Sequence, residues 1–185
     1  MRWAGMEPKT GRRGRPKCAW PLAFALPALA ALASACGGPS FNGRVYESDE
    51  LSFEVRDVPS SWETIDASHA LVSFRDEAAQ ATIAVSGRCG EDGDDVPLTA
   101  LTHHLFLTFT EREVLSQEES MLDGRAVLRT EITAKLDGVP KHFIVYVMKK
   151  NSCVYDFVHI SPAGTDTRSR SEFDRFVAGF HSRRP

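Results

Sequence analysis

The chain has 185 residues and a formal net charge of −3, from 22 Lys and Arg against 25 Asp and Glu. Residues 1–35 hold six of those bases and one of the acids, so residues 36–185 carry 16 bases and 24 acids, a net charge of −8. That balance argues against nucleic acid, whose phosphates need clustered Lys and Arg, and against attachment to an anionic membrane surface by charge alone. A length of 150 residues suits one domain with its own core.

The first element is an N-terminal leader. Arg2, Lys9, Arg12, Arg13, Arg15 and Lys17 face only Glu7, and residues 18–35 carry no charge. A basic start, an apolar run and a small residue before a cleavage point are the parts of a secretory signal. Met6 is a second candidate start. Arg12-Arg13 lacks the hydrophobic pair that twin-arginine export requires. The run is 18 residues long and broken by Pro21 and Pro27, short of the roughly 20 that span a bilayer. It closes in Leu32-Ala33-Ser34-Ala35-Cys36-Gly37. This resembles a bacterial lipoprotein signal, in which Cys36 is lipidated and becomes the first mature residue. Ordinary cleavage after Ala35 is the alternative. Two or three acyl chains anchor far more firmly than one, at about 0.8 kcal/mol per buried methylene. Gly37 stands where an aspartate would retain the protein in the inner membrane, so the expected address is the outer membrane, facing the periplasm or the cell surface. Residues 1–35 are thus read as the signal peptide, 36–43 as a flexible tether and 44–181 as a single domain.

Strands dominate that domain. Residues 44–47 and 51–56 form a short pair in which Leu51, Phe53 and Val55 alternate with polar neighbours. Val58-Pro59-Ser60-Ser61-Trp62 breaks it. Strands follow at 70–75 and 81–88, then an acidic loop. Pro97 suits a first helical turn, and Leu98, Leu101, Leu105 and Phe109 recur at helical spacing, predicting a helix over 97–109. Asp123-Gly124 and Asp137-Gly138 mark hairpin turns between strands at 113–121, 126–136 and 141–149. The last strand, 152–160, follows a turn at Lys150-Asn151. In 141–149 both alternating sets are apolar, so this strand is central and covered on both faces. Ser169-x-x-Glu172 resembles a capping box opening a final helix with Phe173, Phe176, Val177 and Phe180 on one stripe. The order predicts an α+β fold, a central antiparallel sheet of about six strands with helices packed on it.

Cys18 leaves with the signal and Cys36 is taken by lipid. Cys89 and Cys153 remain, an even pair in an oxidising compartment, and a disulfide is expected. Closing that 64-residue separation contributes about 4 kcal/mol on the chain-entropy model. A reactive or metal-binding thiol is the alternative, but no Cys-x-x-Cys or suitably spaced His supports it.

Three signatures carry a family resemblance: the early strand running into Pro59-x-x-Trp62, the Asp123-Gly124 turn leading a hairpin, and the closing helix with Phe173, Phe176, Val177 and Phe180. Together they resemble the PsbP-like superfamily, which includes the Ran-binding Mog proteins and the DcrB-like bacterial lipoproteins. The resemblance covers about residues 44–181. It implies an α-β-α sandwich and an accessory or binding role without catalysis. No functional residue of the family has a counterpart here.

Candidate chemistry is sparse. His103 and His104 point about 100° apart on a helix and cannot share a metal as i, i+4 histidines do. Glu91-Asp92-Gly93-Asp94-Asp95 lacks the Ca²⁺-loop pattern. Ser68-His69 has no nucleophile elbow around it, and Ser86-Gly87-Arg88-Cys89-Gly90 lacks a phosphate-binding lysine. Trp62 and Tyr155 are read as core residues, with a groove lining as the alternative. Asp156 reads as a solvent-facing acid or, if buried, as the partner of Arg129 or Lys149. The expectation is a non-enzyme without metal or cofactor that binds a protein of the cell envelope; the alternative is a carrier or sensor of a small apolar ligand.

Overall fold

The computed structural model describes residues 38–90, 95–164 and 167–183. Cys36 and the leader lie outside these residues, as do 91–94 of the acidic loop.

Two antiparallel sheets form. The smaller contains β1 (Ser40–Phe41), β2 (Val45–Glu47), β3 (Ser52–Glu54) and β11 (His181–Arg183), in the order β1-β2-β3-β11. The larger contains β4 (Glu63–Thr64), β5 (Val72–Asp76), β6 (Ala81–Cys89), β7 (Thr110–Leu122), β8 (Arg125–Leu136), β9 (Val139–Lys150) and β10 (Cys153–Pro162). Its order is β4-β5-β6-β10-β9-β8-β7. Helix α1 (Leu98–Leu105) joins β6 to β7, and α2 (Thr167–Ala178) joins β10 to β11.

The long strands are joined by two-residue turns that need positive φ at both positions. Asp123-Gly124 (φ 48° and 73°), Asp137-Gly138 (51° and 79°) and Asn151-Ser152 (54° and 58°) all meet that demand. The third turn sits one residue later than Lys150-Asn151.

β9 shows how the layers are set. Phe143, Val145 and Val147 pack with Leu101 and Phe106 of the α1 segment. Ile144 and Met148, pointing the other way, pack with Phe173 and Phe176 of α2. Each helix therefore buries its stripe on one side of β9.

Four expectations are corrected. The single sheet of about six strands is a sheet of seven and a sheet of four. The tether does not extend to residue 43: Ser40–Phe41 pairs with β2, and the Phe41 ring meets Phe74 edge-on at 6.0 Å. Helix α1 ends at Leu105, because Phe106 and Phe109 close tight turns that bring both rings onto Phe143, at 5.5 and 5.1 Å. Ser169 is not a cap. It lies fully buried inside α2, its hydroxyl 2.9 Å from His159 Nε2.

Candidate protein-binding face

The disulfide forms. Cys89 and Cys153 are direct cross-strand partners of β6 and β10, with Cα atoms 4.0 Å apart. Cys36, the expected lipidation site, lies outside the described residues. The same register explains Asp156. Cys153 opposite Cys89 places Asp156 opposite Ser86, with Arg88 on its diagonal. Asp156 is buried, and Arg88 Nη1 donates to its Oδ2 at 2.6 Å. The solvent-facing reading and the partners Arg129 and Lys149 are both overturned, because strand register decides which base reaches the carboxylate.

Trp62 and Tyr155 are core residues, 5% and 1% exposed. The indole N–H of Trp62 donates to Glu172 Oε2 at 2.8 Å, and the Tyr155 hydroxyl sits 3.1 Å from Ser182 Oγ. Neither lines a groove described below. His103 and His104 are exposed on the last turn of α1 and face different hollows. Ser68 and His69 lie exposed in the turn before β5. Among the described residues, no group of three or more His, Cys, Asp or Glu is placed to hold a metal ion.

On the α2 side the polar groups are bound to one another. Arg168 donates to Asp76 at 2.7 Å and to Glu172 at 3.1 Å. Burial alone would raise the Asp76 carboxyl, but the Ala79 N–H and Arg168 outweigh it and hold it below its usual value. Glu131 accepts from His142 at 2.7 Å, Arg170 at 3.1 Å and Arg129 at 3.3 Å. Tyr146 donates to Asp174 at 2.8 Å and accepts from Arg129 at 3.1 Å. These contacts lace α2 to β8 and β9 as structural pairs, while His142 Nδ1 and Arg170 Nε have no hydrogen-bond partner among the described residues.

The α1 side is looser. A groove of about 380 Å³ runs between α1 and β7, with Phe106, Val114 and Ile132 as apolar walls and Thr102, His103 and Arg112 at its rim. A second hollow, of about 490 Å³, lies along the other flank of α1, lined by Val96, Ala100, Leu101, Leu105, His104 and Arg88. Of eight exposed large apolar side chains among the described residues, six fall between Leu107 and Val139. Val114 is 57% exposed, Leu115 49% and Met121 70%, all on β7. Val114 belongs both to this exposed set and to the wall of the groove.

No family model and no curated protein sequence matches the chain. Solved structures do. Cyanobacterial PsbP (CyanoP) from Synechocystis sp. PCC 6803 superposes with a TM-score of 0.55 at 16% identity, over 82% of this chain and 99% of its own. This chain has the PsbP-like fold. LpqN, a protein involved in cell envelope biogenesis of Mycobacterium tuberculosis, superposes with a TM-score of 0.56 at 10% identity, over 79% of this chain and 90% of its own. A protein of Bacteroides thetaiotaomicron VPI-5482 gives 0.53 at 13% identity, over 78% of this chain and 50% of its own. At these identities the likeness is one of fold.

Within the PsbP-like fold, the open face of β7 was hidden in the sequence. Val114 and Leu115 are adjacent and residues 116–120 are all polar, so no apolar period marks that face, and only the sheet order puts the strand at an edge. The Arg88–Asp156 pair did have a signal: reading Cys89 and Cys153 as cross-strand neighbours fixes the register that joins them.

Proposed function

We propose that this protein is a lipid-anchored, extracytoplasmic, non-catalytic binding protein that serves as an accessory subunit of a cell-envelope complex. Cys36 carries the anchor, and the outer membrane is its seat. The observation that carries the binding role is the exposed apolar set on β7, beside the α1–β7 groove. The Cys89–Cys153 bridge supports an oxidising compartment, and LpqN offers a precedent for a PsbP-like fold in envelope work. Mild crosslinking of intact cells followed by purification of the full chain should recover one stoichiometric protein partner; recovery of none under several growth conditions would remove the reading. Cys36→Ala should release the protein from the membrane fraction or stall leader processing. Unchanged membrane retention would refute the anchor.

A second reading, a carrier of a small apolar ligand, is favoured by one observation, the hollow along α1 walled by Val96, Leu101 and Leu105. Native mass spectrometry after gentle extraction separates the two: a bound lipid at one per chain supports the carrier.

A further inference from the structure

We propose that the outer edge of β7 receives an extended segment of the partner as an added strand, and that this segment bears Lys or Arg between apolar side chains. This rests on the binding role argued above and names its site and chemistry.

β7 is hydrogen-bonded to β8 on one side and ends the sheet on the other. An edge strand presents its outward N–H and C=O groups for pairing, and strand addition is a recurrent mode of peptide capture. The register breaks of β7 are confined to its first half, and pairing is continuous from Ser116 to Leu122. Seven regular residues make a usable template.

The side chains specify the guest. Val114, Gln117 and Met121 lie opposite Ile132, Thr130 and Ala126, on the side that carries the groove. An incoming strand would set its apolar side chains on this face. Glu118 lies opposite Arg129 on the reverse face, and Glu119 lies opposite Leu128 on the groove face, between Gln117 and Met121. Of the acids on β7, Glu111 pairs with Lys135 at 2.6 Å; Glu113, Glu118 and Glu119 pair with no base among the described residues. Three unneutralised carboxylates along one edge select a cationic guest and repel an acidic one.

They also disfavour some pairings with a second copy of this chain. An antiparallel pairing of two β7 strands centred on Glu118, or one centred on Glu119, sets that carboxylate opposite its own copy. Like charges placed directly across a ladder are destabilising. The acids thus weigh against those registers of self-association while leaving the edge open to a basic strand.

The test uses detergent-solubilised full-length protein and a ten-residue peptide of alternating Lys and Val. Fluorescence anisotropy should show saturable binding, and hydrogen exchange over residues 116–122 should slow at least fivefold. The variant Glu118→Lys/Glu119→Lys (E118K/E119K) should bind at least tenfold more weakly while melting at the same temperature, and a Glu/Val peptide should not bind. Absence of binding, protection elsewhere in the chain, or equal binding by the variant overturns the proposal. A dimer protected over 116–122 also overturns it, in favour of a second copy. Crosslinking in cells separates the two levels. If wild type and E118K/E119K recover the same partner equally, the binding role stands and this site falls; if neither recovers one, the binding role itself falls.

Discussion

Two buried aspartates, one on each side of the large sheet, show how differently the sides are built. Asp76 and Asp156 are each 1% exposed and each carries an arginine, at 2.7 and 2.6 Å. Yet Asp76 is held below its usual pKa and Asp156 is pushed above it. Asp76 also accepts the Ala79 N–H at 3.0 Å, and its arginine is tied to Glu172 as well. Asp156 has Arg88 and a long 3.5 Å contact from Ser86, and its Oδ1 has no hydrogen-bond partner among the described residues. Burial therefore wins at Asp156 and loses at Asp76. The α2 side is closed and laced by ion pairs, suited to holding the fold. The α1 side keeps hollows, exposed apolar residues and an imperfectly met acid, suited to meeting something else.

The largest expected effect breaks the closed side. The Phe176 ring is 1% exposed and meets Phe74 edge-on at 5.8 Å. Phe176→Ala should cost about 3–5 kcal/mol in chemical denaturation, as for other buried aromatics; a loss under about 1 kcal/mol would mean that α2 is not the clamp described. Next comes the bridge between β6 and β10. Cys89→Ser and Cys153→Ser should each cost about 2–4 kcal/mol, and the double variant should add little to either. Additive losses would show that the two thiols act independently.

Much of this contrast was legible in the sequence because it rests on local periodicity. The two apolar sets of β9, Phe143-Val145-Val147 and Ile144-Tyr146-Met148, announce a strand covered on both faces, and the Phe173-Phe176-Val177 stripe announces α2. Strands β1, β4 and β11 have two or three residues each, too few for a period to show. Glu172 illustrates a second limit. Ser169-x-x-Glu172 has the letters of a capping box, but the carboxylate is drawn to Trp62, 110 residues away in sequence. The edge position of β7 is non-local in the same way. It follows from β10 pairing between β6 and β9, which no window of sequence contains.

The pH dependence sharpens the comparison at smaller amplitude. A carboxylate with a depressed folded pKa stabilises above its unfolded value and loses that contribution as pH falls through the folded value; one with a raised folded pKa does the reverse. The melting-temperature gap between wild type and Asp76→Asn should therefore close as pH is lowered from neutral to below about 4. For Asp156→Asn the sign is opposite. The variant mimics the protonated acid, so its advantage over wild type should be greatest at neutral pH and fade as the medium is acidified. Parallel profiles for the two variants would mean that the two sides are electrostatically alike.

The smallest effect falls on the open side. Val114 is 57% exposed and walls the α1–β7 groove. Val114→Ser should change stability by no more than about 0.5 kcal/mol, the usual range for surface positions. The pairing of Val114 with Ile132 is a backbone relation and survives the change, so circular dichroism should be unaltered. What the serine removes is apolar surface from the groove wall, and hence grip on a guest strand. A loss of more than about 2 kcal/mol would instead make Val114 part of the packed core and close the face that the six exposed apolar residues leave open.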